Sequence, residues 1–320
     1  MKETAQIQSQ QRFSPRRKRN FGKMLYLQRH LLFMTVPFLV LTFVFAYLPL
    51  WGWVMAFQKY SLGRGIWGSP FVGLDNFVAL FQDDQFYRVL RNTLAMGLLS
   101  LVSGFVGSIG LALLLNEVRL TFFKRTIQTI TYIPHFVSWV VIANIMMTFL
   151  SPDDGLVNVI LMELGFIKEP IYFLSREGWF WYLHTFAGLW KELGWSTIIY
   201  LAVIAGINPD FYEAADVDGA NRFQKMWHIS IPGLMPTAML LLLMSLGWII
   251  QGGFESQFLL GNSLVIDRSE VLDLYALRYS TQLGDFSYGV AISVFKSVVS
   301  VVMVLFANYV AKLTNQSRLF

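Results

Sequence analysis

Six stretches of this chain, near residues 31–57, 90–115, 127–150, 180–207, 234–258 and 286–311, are apolar and nearly free of charge. Each reaches the roughly 20 residues that a helix needs to cross about 30 Å of hydrocarbon. A water-soluble domain could not hide six such runs without leaving a large sticky surface. Composition agrees, with 55% hydrophobic and only 14% charged residues, against roughly a quarter charged in ordinary globular domains. The mean hydropathy is +0.51. Backbone polar groups in lipid must be satisfied within the chain, so the spanning elements are helices. The expected fold is therefore all-α, a polytopic membrane protein of about six transmembrane helices.

The charge distribution orients these spans. Eight of the 25 Lys and Arg lie in the first 30 residues, so the +5 formal charge marks a basic tail and not a nucleic-acid-binding domain. The tail, with Arg16, Arg17, Lys18, Arg19, Lys23 and Arg29, stands before the first apolar run. That run is too long for a signal peptide and no small-x-small cleavage site follows it, so it reads as a retained span. The excess of Lys and Arg keeps the tail (1–30) in the cytoplasm. Alternation then places Arg119, Lys124, Arg125, Arg222, Lys225, Lys312 and Arg318 on the same side, the last two in a C-terminal tail, 312–320. Lys59, Arg64, Lys168, Arg176, Arg268 and Arg278 fall opposite, diluted by acidic residues, with Arg88 and Arg91 a mild exception. Six spans leave both termini inside.

Several chemistries lack the residues they need. With no cysteine, the chain has neither disulfides nor a thiolate nucleophile or ligand, and four histidines leave little for a metal site. No G-x-x-x-x-G-K-[ST], H-E-x-x-H, nucleophile elbow or G-x-G-x-x-G before a helix stands out. No catalytic residue, metal or bound cofactor is expected on this chain.

Residues 208–236, NPDFYEAADVDGANRFQKMWHISIPGLMP, are too polar to span and lie on the cytoplasmic side of the topology. Asp210 is the expected N-cap, with Glu213 completing a capping box. Gly219 breaks the segment into two short helices, and Pro232 and Pro236 stiffen the start of span five. By composition this is a surface helix at the membrane. Its spacing says more. Glu213-Ala214-Ala215, Gly219 six residues after Glu213, and Ile229-x-Ile231-Pro232 resemble the EAA loop of binding-protein-dependent ABC importer permeases, in which Leu is usual where Ile231 stands. The resemblance continues in Val72-Gly73-Leu74-Asp75-Asn76-Phe77 and Arg91-Asn92-Thr93. In Phe254-Glu255, Val271-Leu272-Asp273, Phe286-Ser287-Tyr288 and Phe295-Lys296-Ser297 it narrows to the oligo- and polysaccharide permeases, which include rhamnogalacturonan and alginate importer subunits. Phe-Asp would be expected at 254–255, and Pro where Ser263 follows Asn262.

The resemblance implies a type I ABC importer permease fold in a bacterial inner membrane. It implies three partners: a second homologous permease, a cytoplasmic ATPase dimer that binds ATP and Mg, and an extracytoplasmic sugar-binding protein. The loop would dock on the ATPase, with Ala214 and Ala215 allowing close approach, Glu213 and Asp218 offering carboxylates, and Gly219 permitting a reversal. The permease itself would not be an enzyme. The cargo implied is an oligosaccharide or polysaccharide fragment, with uronate-containing chains among the relatives' cargoes.

Ionisable groups at membrane depth cost about 2.5–3.5 kcal/mol on insertion scales and so need a reason. His184, Gly188, Lys191 and Trp195 in span four recur at offsets 0, 4, 7 and 11, one helical face. Met244, Trp248, Gln251 and Glu255 repeat the pattern in span five, and Gly289, Ser293, Lys296 and Ser300 in span six. Two readings stay open. The stripes line a water-filled sugar pathway, or they pack against helices, with Lys191 or Lys296 paired to Glu192 or Glu255. His135 and Trp139, following Pro134, are weaker candidates for the same pathway. In span two, Ser100, Gly104, Ser108 and Ala112 form a small-xxx-small seam for helix packing. A secondary transporter driven by an ion gradient is the rival reading, but no inverted repeat is visible. A membrane-embedded enzyme is the other, and no motif supports it.

The topology is testable. Cysteines introduced at Lys2 and Gln316 are expected to resist a membrane-impermeant thiol reagent in intact cells, and labelling of either from outside refutes it.

Overall fold

A computed structural model describes residues 28–251 and 253–313. Lys2, Gln316, Arg318 and most of the two tails therefore lie outside the described residues. Helices dominate, and the only β pairing among the described residues is an isolated bridge between Gln58 and Phe71. The chain divides into two compact units, Met1–Trp53 and Val54–Phe320.

In the first unit, α1 (Arg29–Thr42) runs into a π turn at Phe43–Tyr47, and a 3-10 segment follows from Leu48. Pro49 has no N–H to give to the helix ladder. One residue before it, the Leu48 N–H bonds back to Phe43 O, five residues away, so the ladder has already widened.

The second unit holds α2 (Asp75–Gln82), α3 (Asp84–Glu117), α4 (Thr121–Tyr132), α5 (Trp139–Phe149), α6 (Leu156–Glu163) and α7 (Glu177–Ala205). Then come α8 (Pro209–Val217), α9 (Arg222–Lys225), α10 (Ile231–Leu246), α11 (Phe254–Leu260), α12 (Leu272–Leu277) and α13 (Phe286–Leu313). Among the described residues, four helical runs are long and apolar enough to cross a membrane: Arg29–Phe57, Asp84–Glu117, Arg222–Leu246 and Phe286–Lys312. A fifth is the pair Thr121–Phe136 and Trp139–Phe149, bent by 105°. Helix α7 is long enough at 29 residues, but its polar residues, Lys191 and Glu192 among them, leave it short of the same apolarity.

Two of the expected spans are thereby corrected. Residues 127–150 are not one helix. Pro134 opens a 3-10 turn at Ile133–Phe136, and Ser138 then caps α5 by accepting the Val141 N–H. His135 therefore lies in the 3-10 turn and Trp139 at the start of α5, and the two candidates do not share one helix. Span five is shifted, because α9, a π turn at Met226–Ser230 and α10 form one continuous run from Arg222 to Leu246. It stops at Gly247, and Gly253 sits at φ +39° before α11 starts. Glycine is a poor helix former, and the stripe Met244, Trp248, Gln251 and Glu255 has no single helix to occupy.

Helices α3 and α7 form the main packed pair, joined by α10. At Gly194 of α7, a Cβ would lie 2.1 Å from the Thr131 carbonyl oxygen of α4, so only glycine allows the two backbones this approach. At the far end of α3, the Arg91-Asn92-Thr93 motif has a structural task. The Asn92 side chain donates to the carbonyls of Asp267 and Glu270, and Thr93 Oγ1 accepts the Leu272 N–H. These bonds pin the α11–α12 connection to α3. Nearby, burial pushes the Asp83 carboxyl up, but hydrogen bonds from Tyr275, the Gln85 amide, Tyr288 and Tyr279 outweigh it and hold Asp83 below its ordinary value.

Gly194→Ala is expected to force α7 from α4, at a cost of about 1–3 kcal/mol as in overpacked cores. A drop in the thermal unfolding midpoint of the detergent-solubilised protein, with no drop for Gly110→Ala where a Cβ meets open space, checks it.

Candidate functional site

Helices α3, α7 and α10, with Trp139 of α5 and the segment after Gly247, enclose a cavity of about 640 Å³, within the roughly 300–1,000 Å³ of small-ligand pockets. Three indoles line it: Trp139, Trp195 and Trp248. Hydroxyls come from Ser100, Ser196 and Ser245, while those of Ser108 and Ser256 are buried behind the wall. The seam expected to pack helices is thus divided. Ser100 and Gly104 line the cavity, Ser108 borders it but is buried and takes a hydrogen bond from Thr197 on its carbonyl, and Ala112 is buried in the core against Tyr200 and Leu234.

Of the residues predicted to form a pathway, the structure brings His184, Gly188, Trp195 and Trp248 to this cavity, and with them the weaker candidate Trp139. His184 is buried, and its Nε2 lies 2.9 Å from Ser256 Oγ, which in turn donates to Gln257 Oε1 at 3.0 Å. That direction of donation makes His184 Nε2 the protonated nitrogen, leaving Nδ1 as an acceptor without a partner.

Lys191, Gln251, Glu255, Ser293 and Lys296 are not on the lining. Lys191 turns toward the broken span, where Nζ donates to His135 O at 2.6 Å and Val137 O at 2.8 Å. Those carbonyls lie where the helix ladder stops, so a cation there replaces the missing N–H donors. Its neighbour Glu192 is a distant partner at 3.7 Å, as the 100° between adjacent side chains dictates. Lys296 pairs with Asp273, not with Glu255. Gln251 donates weakly to Ser300 Oγ, and Ser300 Oγ donates to Gly247 O. Ser293 bonds back to Gly289 O one turn earlier, where a Cβ on Gly289 would strike Ser280 and the Ala276 carbonyl. Glu255 is exposed. The span-six stripe therefore packs, because α12 and the turn after α10 lie against it.

The segment 208–236 folds as a helical hairpin. Asn208, not Asp210, caps α8 by accepting the Asp210 N–H at 3.1 Å, because Pro209 takes the first helical position. The capping box belongs instead to α9, between Asn221 and Gln224. Gly219 at φ +76° ends α8, with Gly219 N–H bonded to Asp216 O and Ala220 N–H to Ala215 O, a Schellman pair. Lys225 Nζ and Asp216 Oδ1, 2.6 Å apart, close the hairpin together with Tyr212 and Ser230. Glu213, Ala214, Asp218 and Gly219 are exposed, Ala215 is half-buried, and Pro232 is exposed at the start of α10.

Sequence reasoning missed three parts of the site. Phe211, Val217, Phe223 and Trp227 are exposed on the hairpin, a signal present in its amphipathic pattern. Glu192 lines the cavity, although it was considered only as a partner for lysine. His135 lies with its ring stacked on Trp195 and its Nδ1 2.8 Å from Glu192 Oε2, a contact across 57 residues that no local pattern contains.

The sequence profile of binding-protein-dependent transport system inner membrane components matches residues 104–316. Protein LplB of Bacillus subtilis (strain 168) is 42% identical over 287 residues, 90% of this chain and 90% of that one. The polygalacturonan/rhamnogalacturonan transport system permease protein YteP of the same organism is 42% identical over 297 residues, 93% of this chain and 92% of that one. Among solved structures, a bacterial ABC transporter involved in the import of the acidic polysaccharide alginate has a chain with TM-score 0.84 and 38% identity, covering 91% of this chain and 98% of that one. The bacterial alginate ABC transporter in complex with alginate pentasaccharide-bound periplasmic protein gives 0.86 and 37%, covering 93% and 99%.

Lys191→Met is expected to leave two interior carbonyls without a donor, lowering stability on the order of 3 kcal/mol. The thermal midpoint and the yield of folded protein should both fall. A variant with wild-type stability would show that Lys191 does not hold the broken span.

Proposed function

Because the chain belongs to the binding-protein-dependent transport system inner membrane components, we propose that it is the permease subunit of an ABC importer for oligosaccharides cut from polysaccharides, acidic ones included. The observation that carries this reading is the near full-length likeness to alginate importer chains, supported by identity to a polygalacturonan/rhamnogalacturonan permease. The protein spans the bacterial cytoplasmic membrane several times, with both termini in the cytoplasm. It pairs with a second, homologous permease to enclose the pathway. An ATPase dimer, which holds ATP and Mg, docks on the hairpin of α8 and α9. A sugar-loaded binding protein delivers cargo from the opposite face.

In this reading the cavity walls supply what a sugar needs, indole faces for its C–H surfaces and hydroxyls for its own. The hairpin supplies the coupling. Exposed Glu213 and Asp218 meet basic groups of the ATPase, while Phe211, Val217 and Phe223 give it apolar contact. Closure of the ATPase dimer moves the hairpin and turns the cavity from the inside to the outside. Lys191 and Lys296 are structural here, since both are committed to partners within the chain.

Glu213→Lys presents like charge to the ATPase, and Gly219→Val strains a positive-φ turn. Each is expected to cut cargo-stimulated ATPase activity and uptake in proteoliposomes by at least about tenfold, with the purified chain still folded. Wild-type uptake by both variants would refute the coupling role.

A further inference from the structure

The cavity carries one charged side chain among its described lining residues, and it is acidic. Glu192 is 45% exposed at its side chain, with Oε2 fixed by His135 Nδ1 at 2.8 Å and Oε1 3.7 Å from the Lys191 ammonium, whose hydrogen bonds go to the His135 and Val137 carbonyls. A carboxylate has about four lone-pair sites, so this one is oriented by His135 and still able to accept hydrogen bonds. Three residues on, Trp195 is also 45% exposed as a whole residue. The His135 ring lies flat against it, centroids 4.4 Å apart and planes within 2°, and the edge of Phe136 flanks it. A rigid aromatic plate beside an anchored carboxylate is a sugar-binding arrangement. The plate takes the C–H face of a ring, and the carboxylate accepts hydroxyls in charge-assisted hydrogen bonds. It is a poor site for a uronate carboxylate, which would meet Glu192 as a like charge with no free cation on the lining to offset it.

We propose that Glu192 and Trp195, held by His135, form a sugar subsite that reads hydroxyls and ring face and does not read carboxylates. Resting on the importer reading, this assigns recognition of any acidic groups on the cargo to the other subunits. Trp195 and Glu192 touch the sugar, and His135 is a positioning residue.

The test uses the purified assembly of this chain with its permease and ATPase partners, without binding protein. Saturation-transfer NMR measures binding of a uronate trisaccharide and of its carboxyl-reduced counterpart. Both are expected to bind with Kd within about threefold of each other, with saturation concentrated on ring C–H protons. Glu192→Gln should weaken both at least about fivefold, Glu192→Asp should recover part of the loss, and Trp195→Ala should remove the ring signal. Loss of binding on carboxyl reduction would overturn the proposal, as would unchanged or tighter binding by Glu192→Gln, or no binding of either sugar by the wild type. ATP-driven uptake by wild-type vesicles with binding protein is scored separately. Uptake without this binding pattern sinks only the subsite, and the pattern without uptake sinks the importer reading.

Discussion

Inside a lipid layer a backbone carbonyl without a donor has no water to turn to, and that constraint governs where this chain is irregular. Three departures from a plain helix come with a local remedy. Before Pro49 and again before Pro232, the ladder widens to an i→i−5 bond one residue ahead of the proline. At the 105° bend after α4, geometry cannot repair the break, and the Lys191 ammonium supplies the donors. A cation that insertion scales count as costly is therefore the group that lets the broken span exist. Through Glu192 and Trp195 on the same helix, the repair and the cavity wall are built from neighbouring residues.

What could be read from the sequence was whatever depends on local period and fixed spacing. The all-helical membrane class, the break at Gly219 and the hairpin between α7 and α10 all follow from such patterns. Placement of the stripes did not, since a face at 3.6-residue spacing says which side chains share a direction and not what they face. Lys191 and Trp195 share a stripe, yet one turns to carbonyls of the broken span and the other to the cavity. Lys296 found Asp273, a residue outside every apolar run. The seam on α3 shows both outcomes: Ser100 and Gly104 leave room for a cavity, while Ser108 and Ala112 pack against neighbouring helices as expected. Spans three and five were drawn through Pro134 and Gly247 because hydropathy averages over the breaks that the backbone cannot ignore.

In the proposed reading, an acidic cargo and the chemistry of this cavity point in different directions, and the two are compatible. A wall of indoles, serines and one carboxylate would tolerate many sugars that differ in their charged groups. Selectivity for uronates can then sit on surfaces where cations remain free, and a permissive wall lets the cargo leave. Tight matching of every carboxylate inside the pathway would hold the sugar where it must pass.

The run from Arg222 to Leu246 joins the hairpin to the cavity as one rod. At 25 residues and about 1.5 Å per residue, it is about 37 Å long, with Lys225 tied to Asp216 near one end and Ser245 on the cavity at the other. A rod of that length works as a lever. Tilting it by about 5° about its base sweeps the far end through about 3 Å, comparable with the small helix shifts seen in switching proteins. The rod ends at Gly247, and Trp248 lies just beyond it, its N–H bonded back to Ser245 O. A tilt at the hairpin end would thus reach the cavity wall at Ser245 and carry Trp248, bonded to it, along.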